Sequence, residues 1–366
     1  MSAPFLSAPE SSIESNLQGL LDKAPRIALG SEHRLVILSD LHLGDGGPRD
    51  DFRHNAELVR TVLREHYLRS GYSLVLNGVV EELQRFRAHV VHDRWREIYA
   101  LFEEFRRQTA LYKLIGNHDG ALRHIDGSSY RSPGGGFEPL LDALRFVYRG
   151  NTLFVFHGHQ ATIFFERFNY LSGIFLRYFA NLLRIRSVPV TYESQRKYRI
   201  EHRVYDFSTS RGIVSIIGHT HRPLFESLSM IDTLQFRIEQ LCRDYPEVSP
   251  LAQREIEAAI EGYRQQLARL WERDRDEGLR GSLYNEQLCI PCLFNSGCAV
   301  GKRGVTAIEI ADGSILLVHW SEGAPGEDSV GAEEQATQRL GSTDYLRTVL
   351  KQDRLDYVFA RIKLLT

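Results

Sequence analysis

The sequence predicts an α/β fold, because short apolar segments typical of buried strands alternate with longer segments of helical periodicity. The apolar segments, each followed by polar residues of catalytic or metal-binding types, are 34–39, 72–76, 111–115, 153–156 and 213–217. Between them, residues 55–70 and 93–109 carry apolar side chains at helical spacing and arginines on the other face. We expect the apolar segments to be strands of one sheet system, with a site at their carboxyl ends.

Length and composition allow a large buried core. The chain has 366 residues, of which 43% are hydrophobic, enough for one large α/β domain with insertions or for two smaller domains. The formal charge of -2 at pH 7 provides no global basic field, so binding of nucleic acid would need a local basic patch. The sequence therefore carries no strong signal for a nucleic-acid partner.

The start of the chain does not resemble a secretory signal. The first 30 residues lack a basic segment followed by an apolar one. No run of about 18 uninterrupted apolar residues follows elsewhere. These patterns predict a cytoplasmic location.

The cysteines do not predict a disulfide framework, since the chain contains only four of them. Cys289 and Cys292 have the spacing of a zinc ribbon, but no second pair completes a tetrahedral site. We therefore expect buried free thiols.

Two segments interrupt the alternation of strands and helices. Residues 163–190 are rich in Phe, Leu, Ile and Tyr with interspersed arginines, which predicts either a helical hairpin on the core or in a homodimer interface, or an apolar lid or membrane-surface element. Residues 231–280 are charged and helical in pattern, which predicts an inserted, solvated helical hairpin.

The remaining segments define the expected domain limits. Residues 304–310 and 314–320 have strand character and are joined by a tight turn. We expect an N-terminal extension over 1–30, a domain over 31–325, and a linker with a C-terminal helical tail over 326–366.

The polar residues after the strands are of types that bind metal ions. Asp40 and His42 are two positions apart, so in an extended chain their side chains point the same way and can share one cation. An amide oxygen such as that of Asn117 suits a hard or borderline metal. The other candidates are histidines, namely His118, His157, His159, His219 and His221.

As an ordered set, these motifs resemble those of the calcineurin-like metallophosphoesterase superfamily. They lie within about residues 35–225 and are D-x-H at 40–42, G-V-V-E-E at 78–82, G-N-H-D at 116–119, H-G-H at 157–159 and G-H-x-H at 218–221. The strand pair after Asn295 resembles the closing β segment of that superfamily. The resemblance implies a four-layer α/β/β/α sandwich with helical insertions and a two-metal centre along one edge.

The resemblance also implies roles for individual residues. The implied ligands are Asp40, His42 and His221 for one divalent ion, and Asn117, His157 and His219 for the other. The ions, expected to be Mn, Fe or Zn, would activate a hydroxide and bind the phosphoryl oxygens. His118 would protonate the leaving oxygen, with Asp119 holding its orientation and His159 near the substrate or behind the ligands.

Val79 departs from the family motif, which has at this position an aspartate whose carboxylate bridges both ions. Glu82 matches the last acidic position of the motif, so the alignment is clear. Asp40 alone would then offset the charge of two divalent ions, which repel each other strongly at short separation. We expect weak metal occupancy and strongly reduced hydrolysis, and we favour a single Asp→Val change over long drift as a pseudoenzyme.

The substrate class follows from residues near the site. The Asp-Arg-Gly sequence of the protein phosphatases is absent after position 79, and Asp119 replaces their glutamate, which favours phosphodiesters or pyrophosphates, nucleotide or lipid-linked. Residues 163–190 resemble in character the lipid-accommodating insertions of UDP-diacylglucosamine pyrophosphatases, although those enzymes commonly lack a histidine at the position of His118. The alternative is a non-catalytic binding or regulatory module that retains the fold.

Overall fold

The computed structural model describes most of the chain and confirms the predicted α/β class. Its described residues are 10–124, 140–162, 190–225, 250–276, 290–323 and 337–366, with isolated positions between 234 and 245. Within them the chain forms two mixed β-sheets and seven α-helices.

The strands of the described residues divide between a six-stranded and a seven-stranded sheet. The smaller sheet has the order β1 (Arg26–Ala28), β5 (Ala143–Tyr148), β6 (Asn151–Phe156), β7 (Val214–Ile217), β9 (Leu293–Ser296) and β8 (Pro223–Leu224). The larger sheet has the order β12 (Thr337–Arg339), β13 (Tyr345–Arg354), β11 (Ser314–Glu322), β10 (Val305–Ala311), β2 (Leu35–Leu38), β3 (Ser73–Asn77) and β4 (Leu111–Leu114).

The five predicted apolar segments all form strands, three in the larger sheet and two in the smaller one. β2, β3 and β4 are parallel neighbours in the larger sheet. β6, β7 and β9 are parallel neighbours in the smaller sheet. Because parallel strands end at the same edge, each sheet presents three polar strand ends together.

The helices precede, separate and follow the strands along the chain. They are α1 (Glu10–Lys23), α2 (Ala56–Val62), α3 (Ala88–Arg94), α4 (Arg96–Gln108), α5 (Val190–Arg211), α6 (Pro250–Asp276) and α7 (Leu355–Leu365). The helix predicted over 55–70 is confirmed as α2 and a π-helical turn, Leu63–Leu68. The helix predicted over 93–109 is interrupted at Trp95, whose indole donates a 3.0 Å hydrogen bond to the Gly44 carbonyl.

Within the described residues, the buried apolar side chains form three clusters. One cluster contains Ile37 and Val75 of the larger sheet together with Phe146 and Val155 of the smaller one. Side chains of the two sheets therefore pack against each other. Since successive strand residues point to opposite faces, each sheet has a second face to cover.

Helices cover those second faces. Leu74 of β3 shares a cluster with Phe105 of α4. Phe154 of β6 shares another with Leu17 of α1 and Val204 of α5. Burial of these apolar faces supplies most of the stabilisation of such a fold.

The N-terminal residues are part of the fold, contrary to the expected extension over 1–30. Leu17 and Leu21 of α1 are buried in the core, and β1 pairs in parallel with β5. Residues 10–28 therefore contribute both a helix and a sheet edge. The sequence concealed this because β1 is short and only half apolar.

The expected helical tail is wrong for residues 337–354. β13 pairs antiparallel with β11 along its whole length, and β12 pairs with β13. Only α7 is helical in this region. β13 is half-exposed and mostly polar, so it lacks the apolar run that identifies a buried strand.

Several sequence predictions concern segments that the structure describes only in part or not at all. Residues 163–189 lie outside the described residues, as do Cys289 and most of 231–249. Helix α6 confirms the helical pattern within 250–276. The free cysteines described are Cys292, which is buried as expected, Cys298, which is half-buried, and Cys242, which is exposed. Within the described residues, no helix is both long and apolar enough to cross a bilayer.

Candidate metal centre

The strand ends of the two sheets bring the predicted site residues together. Asp40 and His42 follow β2, Asn117 and His118 follow β4, His157 follows β6, and His219 and His221 follow β7. The Asp40 carboxylate accepts a 2.9 Å hydrogen bond from the His219 backbone N–H, which joins the site ends of the two sheets. Val79 follows β3 and lies among the same loops.

The backbone at this site is unusual. Seven non-glycine residues of the described chain have positive φ, and five of them belong to the site, namely Asp40 (54°), His42 (51°), Val79 (49°), His219 (64°) and His221 (57°). L-residues rarely adopt this left-handed conformation, and such strain concentrates at functional sites. Asp40 and His42 therefore converge through left-handed turns, and the expectation of an extended backbone there is wrong.

Three ligand atoms converge in the first half of the site. His221 Nε2 lies 3.1 Å from Asp40 Oδ1 and 3.3 Å from His42 Nε2, and His42 Nε2 lies 3.9 Å from Asp40 Oδ1. Metal–ligand bonds of about 2.1 Å place neighbouring ligand atoms about 3.0–3.5 Å apart. Two of the three separations fall in this range, so these residues fit one metal ion.

The hydrogen bonds behind the ligands fix which ring nitrogen faces the site. His42 Nδ1 lies 2.8 Å from a Glu82 carboxylate oxygen, and His157 Nδ1 lies 2.7 Å from the Asn77 carbonyl oxygen. Both oxygens only accept hydrogen bonds, so both Nδ1 atoms carry the proton. Each Nε2 then presents a lone pair to the site, the arrangement found behind metal-binding histidines.

The second half of the site is assembled less tightly. His157 Nε2 lies 3.1 Å from Asn117 Oδ1, and the His157 and His219 rings are 5.1 Å apart. Among the described residues, two groups of three acidic or histidine side chains have ligand atoms within 4.8 Å of one another, Asp40–His42–His221 and His42–Glu82–His118. The trio Asn117, His157 and His219 has no carboxylate.

Gly78 is needed where β3 approaches β6. Its φ is 81°, and a Cβ atom at this position would lie 2.5 Å from His157 Nδ1. A side chain here would displace the imidazole from its hydrogen bond with the Asn77 carbonyl oxygen. Glycine therefore permits the close contact that orients His157.

Glu82, not Asp119, orients His118. His118 Nδ1 lies 2.8 Å from Glu82 Oε2 and 2.9 Å from Glu82 Oε1. The Asp119 carboxylate instead accepts hydrogen bonds from the backbone N–H groups of Gly116, at 2.6 Å, and Val80, at 2.9 Å. The chain turns Asp119 back beneath the loop, so its predicted contact with His118 is wrong.

His118 is partly exposed, as a reactive histidine must be, and the carboxylate of Glu82 that holds it is buried. The His118 side chain is 27% exposed, whereas that of Glu82 is 2% exposed. Burial opposes ionisation of Glu82, but hydrogen bonds from His118 and His42 hold the pKa of this carboxyl below its ordinary value. Glu82 thus contacts both a candidate ligand and the candidate acid. The sequence signal was present, since Glu82 occupies the last acidic position of its motif.

No described carboxylate replaces the one missing at position 79. Val79 is 1% exposed, and its φ of 49° is rare for a β-branched residue. The Glu81 side chain is fully buried and pairs with Lys113 and Tyr99. Glu82 contacts His42 on the Nδ1 side, which faces away from Asp40.

Burial and neighbouring charges act in opposite directions on the charge states of the site. Burial alone would raise the pKa of the Asp40 carboxyl, yet the neighbouring His157, His221 and His42 bring that pKa below its ordinary value. Burial lowers the pKa of His157 and lowers that of His159 further. Both imidazoles are therefore neutral near pH 7, as a metal ligand must be.

His159 lies behind the second half of the site. Its ring centre is 5.5 Å from that of His157 and 6.2 Å from that of His219. The side chain is buried, and its Nδ1 atom has no hydrogen-bond partner among the described residues. Its predicted role, near the substrate or behind the ligands, stays a prediction.

A buried network that the sequence did not reveal holds the loop of His219 and His221. Thr220 Oγ1 donates a 2.7 Å hydrogen bond to Glu201 of α5, which is 2% exposed. Asn295 Nδ2 donates to Thr220 Oγ1 at 2.8 Å and to the Gly218 carbonyl at 3.1 Å. Glu201 sits in a charged helical pattern, which is otherwise typical of a solvent-facing side chain.

The chain was compared with known proteins. No family model matches it, and a search of curated proteins finds no match.

Proposed function

We propose that this protein is a metal-dependent phosphoesterase of the calcineurin-like type that cleaves phosphodiester or pyrophosphate bonds, with activity impaired by Val79. The observation that carries the proposal is the convergence of Asp40, His42 and His221 beside the His118–Glu82 pair. A metal-ligand group next to a carboxylate-held histidine provides the two functions that such hydrolysis requires. The resemblance of the ordered motifs supports the same reaction class.

The division of the core supports the four-layer arrangement that this function implies. One cluster mixes side chains of both sheets, and the other two pair a sheet face with helices. An α/β/β/α sandwich with insertions near 163–190 and 231–280 accounts for this division. The domain limits at 31 and 325 are less well supported, because residues 10–28 and 337–366 share the same sheets.

The residues of this chain would act in sequence on a bound phosphoester. Bound divalent ions would supply an activated hydroxide and offset charge on the phosphoryl oxygens. His118, which is partly exposed, would donate its proton to the departing oxygen. Glu82 would keep the His118 ring in place.

Val79 weakens this scheme through electrostatics. Two unit charges about 4 Å apart interact by about 4 kcal/mol at an effective dielectric constant of 20, so two divalent ions would repel by roughly 16 kcal/mol before ligands offset it. In the family motif a shared aspartate provides part of that offset. Val79 provides none, and it brings apolar methyl groups into the site.

The test is to restore the carboxylate. We expect Val79→Asp to raise Mn²⁺-dependent hydrolysis of bis-p-nitrophenyl phosphate at least a hundredfold. Val79→Asn is the matched control, since asparagine has the same shape and tolerates positive φ but lacks the charge. If neither variant gains activity, an inactivated phosphodiesterase is the wrong description.

A non-catalytic binding or regulatory module is the second candidate, favoured by the burial of an apolar side chain at position 79. Metal content separates the two candidates, because a former catalytic centre should load Mn²⁺, Fe²⁺ or Zn²⁺ once the aspartate is present. For an enzyme, assays of nucleotide diesters against lipid-linked pyrophosphates on Val79→Asp would identify the substrate class. The cytoplasmic location and the contacts proposed for 163–190 stay predictions.

A further inference from the structure

We infer that this chain binds one divalent ion, at Asp40, His42 and His221, instead of the pair that its motifs imply. The inference rests on the metal centre of the proposed function, but not on hydrolysis. It follows from a contrast between the two halves of the site. One half is complete without position 79, and the other is not.

The first half brings one carboxylate and two imidazoles together, and without an ion a proton on His221 Nε2 can be donated to Asp40 Oδ1. Because His42 Nδ1 donates to Glu82, His42 Nε2 presents a lone pair, and it faces His221 Nε2 at 3.3 Å. Asp40 Oδ1 lies 3.1 Å from the same His221 nitrogen. Two imidazole nitrogens and an anionic oxygen thus lie within 3.9 Å of one another, on two buried side chains and one half-buried side chain, and this set suits borderline divalent ions.

The second half can satisfy itself without a cation. His157 Nδ1 donates to the Asn77 carbonyl, so His157 Nε2 presents a lone pair to the Asn117 amide at 3.1 Å. Rotating that amide by half a turn points its NH₂ group at the imidazole and makes an ordinary hydrogen bond. The ligands implied here, one amide and two imidazoles, bring no negative charge of their own. Asp40 Oδ1, which lies 3.7 Å from His157 Nε2, is a ligand atom of the first half.

Val79 occupies the position at which the family motif has a negatively charged aspartate. A Cβ atom placed on Gly116 would lie 2.4 Å from Val79 Cγ2, so this methyl group packs directly on the residue before Asn117. The branched side chain therefore contacts the loop of the second half. A second divalent ion would have a methyl group nearby where a carboxylate oxygen is required.

Stoichiometry tests the inference directly. Metal-stripped full-length protein would be titrated with Mn²⁺ by calorimetry, and the loaded protein examined by electron paramagnetic resonance. We expect one ion per chain and the spectrum of isolated Mn²⁺. His221→Ala should weaken Mn²⁺ binding at least tenfold, whereas Asn117→Ala should change it less than threefold.

The Val79→Asp variant is the positive control for binding of a second ion. It should take up a second ion and show the exchange-coupled spectrum of a close Mn²⁺ pair. Thermal unfolding of each variant without metal verifies that it is folded before its binding is compared.

Three outcomes would overturn the inference. They are two ions in the natural chain, no ion at all, or binding that survives His221→Ala and is lost in Asn117→Ala. Failure of the proposed function would look different, since Val79→Asp would then bind its ions as expected and still hydrolyse no phosphoester.

Discussion

Single residues determine what this site can do, and Val79 is the most constrained of them. Its backbone has a φ of 49°, while its side chain is buried and branched at Cβ. A left-handed conformation costs an L-residue about 1–2 kcal/mol. The fold therefore holds a valine in a conformation that suits glycine, asparagine or aspartate better.

This strain predicts an inverted stability order. Val79→Gly should be more stable than Val79→Ala by about 1 kcal/mol, because glycine has no Cβ to clash in a left-handed backbone. Urea unfolding of both variants would measure the difference. The same pair at Val80, which is buried without positive φ, should show the usual order with alanine more stable. If the alanine variant were the more stable one at both positions, backbone strain at Val79 would be contradicted.

The second prediction concerns His118 as the acid. In the Val79→Asp background, His118→Gln should lower kcat by about 10²–10⁴-fold for a diester with an alkyl leaving group. The loss should be far smaller for a p-nitrophenyl diester, since p-nitrophenolate departs without protonation. Asp119→Asn, which lies beneath the loop, should leave the ratio between the two substrates unchanged. Equal losses on both substrates would exclude the acid role.

At the level of elements, helix α5 fixes the loop after β7. Glu201 of α5 accepts the Thr220 hydroxyl bond, and Arg222 lies 3.6 Å from the same carboxylate. Thr220 stands between His219 and His221, so the helix determines where both imidazoles lie. A metal site built on loops needs support of this kind.

This contact predicts a pH dependence of stability. Burial raises the pKa of Glu201 above its ordinary value of 4.5. A carboxyl whose pKa is raised by folding stabilises the folded chain fully below the unfolded value, and that contribution is lost as pH rises through the folded value. The unfolding free energy of Glu201→Gln relative to that of the natural chain should therefore rise from about pH 4.5 up to the folded pKa, by at most about 1.4 kcal/mol per pH unit, and stay constant above it.

Denaturant unfolding across this pH range measures the difference. If the difference in unfolding free energy between the two proteins stays constant above about pH 4.5, ionisation of Glu201 does not destabilise the folded chain. Below that pH the two proteins should differ by a constant amount.

The elements that the sequence predicted share one property, which is burial of the strand on both faces. β2, β3 and β7 are continuous apolar runs, and their positions were predicted to within about two residues. β5 alternates buried and half-exposed positions over much of its length, and β13 has a single buried position, Leu346; both strands were missed. β13 joins its sheet through pairing with β11, which local composition does not report.

Across the whole molecule, the C-terminal residues complete the structure that carries the site. β13 extends the larger sheet, and α7 places Leu355, Val358, Phe359 and Ile362 in the cluster between the sheets. Arg347 of β13 also pairs with the buried carboxylate of Glu309 in β10. The site residues all precede position 222, yet their sheets depend on residues beyond 337.

We therefore predict a large effect of a substitution far from the site. Phe359→Ala should lower the free energy of unfolding by about 3–5 kcal/mol, because Phe359 is 6% exposed. Tyr357→Ala on the same helix should change it by less than about 1 kcal/mol, since Tyr357 is 50% exposed. Similar small effects for both would show that α7 is not part of the cooperative core.

The sequence by itself determined the fold class, the order of the buried strands and the residue types that gather at their ends. These features are local, because an apolar run that stops at a polar residue is visible in a few consecutive positions. The departure at Val79 was visible in the same way.

The tertiary structure alone decided which side chains meet. It joined His118 to Glu82 instead of Asp119, placed Glu201 behind the loop after β7, and put five site residues in strained or left-handed backbone. Such contacts link residues far apart in the chain, and the backbone conformation that makes them is held by packing around the loops. Neither these contacts nor this backbone conformation can be read from the residue type at one position.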